Sequence, residues 1–179
     1  MTGQEYIQLK AFARIDGFML SVLWLFSFGF YMAGLTSPLY GFASMALTVA
    51  TPFFVGFRLR KFRDEDLEGF ISFMRAWAYV ILVFFYAGIA FAIAQYLYLN
   101  YMDQGYLMQT LATIMSTPEA KAMIEQAGLT DEMAESLHNM QAMRPIDIAL
   151  NMLTMNIMLG IIVGLPVAAL LQKKRMVSE

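Results

Sequence analysis

The chain has 179 residues, of which 59% are hydrophobic and only 15% are charged, and its mean hydropathy is +0.57. Soluble domains have about 45–50% apolar and roughly 25% charged residues, so this composition argues against an ordinary soluble domain and indicates an integral membrane protein. The formal net charge is −2 and there is no cysteine, which excludes a disulfide framework and a thiolate metal site.

Four long apolar segments divide the chain. Each has about the 20 residues that a helix needs to cross the roughly 30 Å hydrocarbon layer, or somewhat more. The first is longer than the apolar core of a cleaved signal peptide, usually about 7–15 residues, so it is predicted to be a retained span. The sequence predicts a single membrane domain over residues 1–179. Its predicted spans are residues 17–35, 39–57, 76–101 and 146–171, joined by a charged loop at 58–75 and a long polar loop at 102–145.

The long polar loop carries two sets of helix signals. Thr117-Pro118-Glu119 combines a cap, a proline at the first helical position and an early acid, and Gly128 suits the end of that helix. Thr130-Asp131-Glu132 opens a second helix in the same way. The predicted fold class is therefore all-α. It is an integral membrane four-transmembrane-helix bundle with two short amphipathic helices in its extracytoplasmic loop.

Basic residues are distributed very unevenly between the two sides of this predicted bundle. The side with both termini and the 58–75 loop holds all but two of them, and the other side holds only Lys121 and Arg144. Cytoplasmic loops carry the excess of Lys and Arg, so both termini are predicted to be cytoplasmic. The basic residues on that side are Lys10, Arg14, Arg58, Arg60, Lys61, Arg63, Arg75, Lys173, Lys174 and Arg175.

The 58–75 loop is the candidate binding site, because its cations lie where lipid phosphates are expected. Basic residues at that depth attract anionic lipid by about 1 kcal/mol each. One interpretation is that they only set the topology and touch headgroups without specificity; the other is a specific phosphate site. Asp64 and Glu65 lie four residues after Arg60 and Lys61, so the acids can pair with these two cations along a helix. Asp64 and Asp66 also fit the Asp-x-Asp pattern of some metal sites, which is a weak signal. The candidates are Arg58, Arg60, Lys61, Arg63 and Arg75.

No charged residue falls in the middle third of a predicted span. Asp16 is predicted at the inner edge of the first span, and Gln95 at the outer interface of the third. The fourth span has a stripe of residues four apart, and such Gly-x-x-x-Gly faces let another helix approach closely. A packing role is therefore favoured over a substrate role. The helix-packing candidates are Asn156, Gly160, Gly164 and Ala168.

Groups that carry catalysis or bind metals are not evident. Methionines recur at Met152, Met155 and Met158, but they lie within a span, and His138 is the only histidine. Thioethers bind Cu(I), yet methionine is also a common apolar filler. We therefore predict no catalytic residue, no metal and no cofactor, and a protein that is not an enzyme.

Motifs around the charged loop resemble a known family. Thr51-Pro52-Phe53, the run 60–64 and the run 69–76 resemble small inner-membrane proteins of Bacteroidota, catalogued as domain of unknown function number four-one-nine-nine. Gln95-Tyr96, Gly105 and Pro145-Ile146-Asp147 extend the resemblance along the chain. It implies four transmembrane helices in the inner membrane of a Gram-negative bacterium, and brings no established activity. Members of that family are encoded near a membrane-associated family-two glycosyltransferase, so the resemblance also suggests an accessory role in polyprenyl-linked sugar transfer as a partner hypothesis.

Two functions remain open from the sequence. The first is a non-enzymatic scaffold or accessory subunit, which binds a protein partner or a second copy through its small-residue helix faces. The second is a carrier or binder of an anionic or polyprenyl-phosphate lipid at the inner leaflet. Membrane lipids are expected partners under both, and nucleic acid under neither.

Overall fold

Helices make up nearly all of the computed structural model, which describes residues 3–173. The first three of these helices and the last one are long and apolar enough to cross a membrane. The all-α prediction and the four transmembrane helices are confirmed, and the protein is a multi-pass membrane protein. The helices are α1 (Gly3–Gly34), α2 (Pro38–Lys61), α3 (Phe73–Tyr101), α4 (Tyr106–Met115), α5 (Pro118–Gln126), α6 (Thr130–Ala142) and α7 (Pro145–Leu171).

The long loop contains the two predicted helices and one more. Thr117 caps α5 by accepting a hydrogen bond from the backbone N–H of Ala120 at 3.3 Å, and α6 begins at Thr130. The additional helix, α4, follows Gly105, whose φ of +84° favours glycine. The Asp103 carboxylate accepts a hydrogen bond from the N–H of Leu107 at 3.1 Å, which satisfies one of the free donors at the start of α4.

The long helices pack in the order α2, α1, α3, α7, with α3 between α1 and α7. Gly17 brings α1 close to α3, because a Cβ added there would lie 2.8 Å from the carbonyl oxygen of Val83. The buried core is mainly aliphatic and aromatic, and it lies in the half of the bundle that contains the first part of α1 and the last turns of α2 and α7. Its members include Leu9, Leu20, Trp24, Val55, Leu59, Phe62, Tyr79, Val83, Phe84 and Ala168.

The charged segment 58–75 is more ordered than a simple loop. Helix α2 continues to Lys61 and then widens into a π-helical turn at Phe62–Asp66, and α3 begins at Phe73. Phe62 and Ile71, two apolar residues between the charges, are buried with Leu9 of α1. Because α1 begins at Gly3 and the π-helical turn follows α2 to Asp66, these two helices extend past their predicted spans at this end of the bundle and pack against each other there.

The start of α1, the charged segment and the end of α7 meet at one end of the bundle, which we call the basic end. Ile71 and Lys173 form an isolated antiparallel bridge, with N···O distances of 3.0 and 2.9 Å. Gln8 of α1 reaches the backbone carbonyl of Asp66 at 3.4 Å. Lys174 and Arg175, which count toward the predicted basic excess, lie outside the described residues.

Candidate functional site

Asp16 lies at the centre of a buried polar cluster near the basic end. Its side chain accepts hydrogen bonds from the Arg58 guanidinium, with Nε 2.6 Å from Oδ1, and from the Tyr79 hydroxyl. Asp16 is on α1, Arg58 on α2 and Tyr79 on α3, so the Asp16 cluster joins three transmembrane helices. Asp16 is only 1% exposed.

The position of Asp16 along α1 places the cluster close to the boundary of the hydrocarbon layer. Gly34, at the other end of α1, is about 27 Å away at 1.5 Å per residue. This length places Asp16 at an edge of the first span, and the assignment of that edge to the inner side stays a prediction. Its burial and its partners were not predicted, although an acid flanking a span and a basic residue ending the next span gave a weak signal. A buried charge at this depth needs a partner, because both water and lipid headgroups are excluded.

Aromatic rings seal the cluster from the basic end. The Phe62 ring stacks on Tyr79 with centroids 5.1 Å apart and planes 10° apart. Phe12 packs on the other side of Phe62 at 4.8 Å. A dry surrounding strengthens the attraction between Arg58 and Asp16. The cluster is therefore suited to hold helices together, with Asp16 buried and only part of the Arg58 side chain at the surface.

Arg63 and Arg75 also bind groups of their own chain. Arg63 donates to the backbone carbonyl of Leu171 at 2.9 Å, which satisfies one of the free acceptors at the end of α7, and it pairs with Asp64 at 2.7 Å. Arg75 contacts Glu5 at 3.3 Å and the side-chain carbonyl of Gln8 at 3.2 Å. Both arginines thus tie helices or turns of the basic end to one another.

Arg60 and Lys61 are the two predicted cations whose side chains face outward, with 69% and 46% of their side-chain surface exposed. The predicted pairs with acids four residues on are present, at 3.6 Å to Asp64 and 3.7 Å to Glu65. These distances are long for hydrogen bonds, and exposed pairs of this kind contribute little to stability. Arg60 and Lys61 are therefore the cations best placed to meet a lipid headgroup.

The small-residue stripe of α7 lies against α3. A Cβ added to Gly160 would lie 2.5 Å from the Cβ of Phe84, and one added to Gly164 would lie 2.9 Å from Cδ1 of Trp77. Ala168, lower on the stripe, is fully buried. The close approach that the stripe permits is thus used inside the chain.

Metal ligands are not gathered anywhere in residues 3–173: no group of three or more His, Asp or Glu side chains is placed to hold an ion. In particular, the Asp64 carboxylate is engaged by Arg63. The basic end as a whole carries ion pairs, helix-terminal contacts and stacked rings. This arrangement can fix the relative positions of α1, α2, α3 and α7.

Comparison with known proteins gives one match. Neither the curated proteins nor the solved structures contain a match to the chain. The model of a family described as "Protein of unknown function (DUF4199)" matches residues 16–173, which begin at the buried Asp16 and end at the bridged Lys173. The match covers most of the sequence, and the chain belongs to this family.

Proposed function

We propose that the protein is a non-enzymatic scaffold or accessory subunit of a complex in the bacterial inner membrane, with both termini in the cytoplasm. The observation that carries the proposal is the inward engagement of Arg58, Arg63 and Arg75, which bind groups of their own chain. Their charge stabilises a closed helical end instead of lining an open cleft. The basic excess at that end supports the cytoplasmic orientation.

The outward face of α2 is the surface on which we place contact with a protein partner or a second copy. In its most apolar stretch, 17% of the residues are buried, against 44% in α3. Large exposed side chains recur along it at spacings of three and four, which is the pattern of one helix face. They are Phe42, Met45, Val49, Phe53 and Phe57. Since α3 occupies the small-residue stripe of α7, that stripe is not free for a partner.

Gentle purification followed by native mass spectrometry tests the proposal. We expect the full chain to leave the membrane with a stoichiometric partner or as a defined oligomer. Replacing Phe53 and Phe57 together by alanine should release it as a monomer. The matched control is Ile162→Ala with Leu170→Ala on the exposed face of α7, which should keep the assembly. A wild-type protein that is monomeric and carries no partner contradicts the proposal.

Binding of an anionic or polyprenyl-phosphate lipid at Arg60 and Lys61 is a second candidate function, supported by the outward position of these two side chains. It suits an accessory role beside a membrane glycosyltransferase. The double change Arg60→Gln with Lys61→Gln should reduce retention of phosphatidylglycerol or undecaprenyl phosphate several-fold. Lys121→Gln, in the long loop, is the control. Equal retention by the double variant and wild type removes this candidate.

A further inference from the structure

A cavity of about 490 Å³ lies in the half of the bundle away from the basic end. Residues of α1, α2, α3, α4 and α7 line it. Pockets that hold small molecules typically measure about 300–1,000 Å³ and often lie between the helices of bundles. The cavity is separate from the Asp16 cluster, and the scaffold proposal makes no use of it.

The cavity lies between α2 and α7, the first and last helices of the packing order. Near the basic end these two helices meet at Gly56, where an added Cβ would lie 3.7 Å from Cδ1 of Leu171. In the other half, Thr48 of α2 and Met152 of α7 both line the cavity. A ligand that reaches the cavity between these two helices comes from the hydrocarbon of the membrane, so it has to be hydrophobic.

Asn156 of α7 brings an unpaired amide to the cavity wall. It lies about 17 Å along α7 from Pro145, close to the middle of a roughly 30 Å hydrocarbon layer. Its side chain makes no hydrogen bond within residues 3–173, and neither of its amide atoms is among the buried ones that lack a partner. Both amide atoms are therefore accessible, and the residue lines the cavity. Because an amide at this depth normally bonds across a helix contact, its free N–H groups indicate a ligand that accepts hydrogen bonds.

A second amide lies less than two turns away on the same helix. Asn151 is about 7.5 Å from Asn156 along the axis of α7, and it also lines the cavity. Its Nδ2 lies 3.8 Å from the thioether sulfur of Met143, which is a weak acceptor. Helix α7 thus presents two amide donors to the same cavity at two depths.

Three donors of the α1 and α2 walls, in contrast, are engaged by the protein itself. The Ser27 hydroxyl donates to the backbone carbonyl of Ser44 at 3.1 Å, and Thr48 donates to the same carbonyl at 3.0 Å. The Trp24 indole N–H donates to the hydroxyl of Thr51 at 3.1 Å. The amides of α7 are therefore the groups on which a polar ligand head would depend.

The remaining wall favours a flat, uncharged molecule. Phe91 of α3 meets Trp24 edge to face with ring centroids 5.7 Å apart, and it meets Phe28 in the same way at 6.0 Å. Flat rings pack well against aromatic surfaces of this kind. No residue of the wall, as far as it is described, is charged, so a carboxylate, phosphate or ammonium group would enter without a counter-ion and at high cost.

We propose that this cavity binds the head of a membrane quinone, a neutral lipid with two carbonyl groups on opposite edges of a flat ring and an apolar tail. The two carbonyl oxygens accept hydrogen bonds from the amides of Asn151 and Asn156. The ring packs beside Trp24 and Phe91, and the tail leaves between α2 and α7 into the hydrocarbon. Glycerides also carry carbonyl groups, but they lack the flat ring that the aromatic wall suits.

Quenching of tryptophan fluorescence tests the proposal, because the chain has two tryptophans and one of them lines the cavity. The full chain in phosphatidylcholine nanodiscs is titrated with decylubiquinone, a short-tailed quinone that quenches indole emission. Trp77→Phe leaves Trp24 as the reporter, and Trp24→Phe leaves Trp77, which packs against Gly164 outside the cavity. We expect saturable quenching of Trp24 at stoichiometric quinone, and only weak, unsaturable quenching of Trp77.

Substitution of Asn156 in the Trp77→Phe chain connects the binding to the amide. Asn156→Leu should raise the quinone concentration for half-maximal quenching about tenfold, because a hydrogen bond to the ligand is lost. Asn156→Ala should do the same, and its small side chain serves if leucine disturbs the fold. Thr154→Val, on the exposed side of α7, is the matched control and should bind as wild type does.

Two competitors that do not quench define the head group. Decylbenzene has the ring without the carbonyls, and dioctanoylglycerol has ester carbonyls without the ring. Each should need at least about ten times the concentration of the quinone to restore half of the Trp24 emission. Equal quenching of the two tryptophans, unchanged binding by both Asn156 variants, or displacement by either competitor at the concentration of the quinone overturns the proposal.

Discussion

The carboxylate of Asp16 is buried at the membrane boundary, so the stability of the folded protein depends on its two hydrogen-bond partners, Arg58 and Tyr79. Asp16→Asn removes the negative charge and leaves Arg58, whose side chain is 19% exposed, without a counter-ion. Breaking one member of a buried pair typically costs about 3–5 kcal/mol. We expect a loss of that order, measured as thermal unfolding of the purified protein in mild detergent.

Two further variants show whether the buried charge is the cause of that loss. Glu65→Gln removes the acid of the exposed pair with Lys61 and should change the melting temperature little. Adding Arg58→Met to Asp16→Asn should recover part of the stability, because no uncompensated charge then remains. If Asp16→Asn proves as stable as Glu65→Gln, the cluster does not hold the helices together.

At the level of single residues, the sequence predicted neighbours on one helix but not partners on different helices. The pairs Arg60–Asp64 and Lys61–Glu65 follow from helical spacing alone. In contrast, Asp16 meets Arg58 across 42 residues and Tyr79 across 63, and such distances carry no periodic signal. Gln95 illustrates the same limit, since its burial depends on a helix that hydropathy does not reveal.

Helices α3 and α7 approach most closely at Gly160, and this contact is sensitive to a single methyl group. In Gly160→Ala, the new Cβ would lie 2.5 Å from Phe84 Cβ and 2.7 Å from its Cγ. The two helices must move apart, and overpacking of this kind costs about 1–3 kcal/mol. We expect a lower melting temperature in the same thermal assay.

Gly29→Ala on α1 is the matched control for the Gly160 variant. Nothing lies within 4 Å of a Cβ added there, and alanine favours a helix more than glycine does. Its melting temperature should equal or exceed that of wild type. A Gly160→Ala protein as stable as the Gly29→Ala protein would show that α3 and α7 do not depend on close contact.

The long helices were predictable because a helix needs about 20 apolar residues to match the thickness of the bilayer. The start of α1 and the end of α2 were not, since both helices continue past their predicted spans where hydropathy falls, whereas the end of α3 and both ends of α7 lie within one residue of the prediction. The small-residue stripe of α7 through Gly160 was recognisable from its spacing. The helix that packs against this stripe was not, because the sequence does not say whether α3 or another protein contacts it. α4 was missed because its start depends on Asp103 and on the positive φ of Gly105.

The two ends of the bundle, as far as residues 3–173 describe them, are packed differently. Ion pairs and the Ile71–Lys173 bridge close the basic end, whereas the opposite half contains the cavity beside Gln95.

Orientation in the membrane is the prediction that belongs to the whole molecule, and the chain is well suited to test it because it has no cysteine of its own. Glu65→Cys introduces an exposed thiol at the basic end, and Glu119→Cys introduces one in the long loop. Since the basic excess should face the cytoplasm, a membrane-impermeant maleimide should label Glu119→Cys in spheroplasts and Glu65→Cys in inside-out vesicles. The reverse pattern would place the basic end outside, and labelling of both variants from one side would contradict the four-span topology.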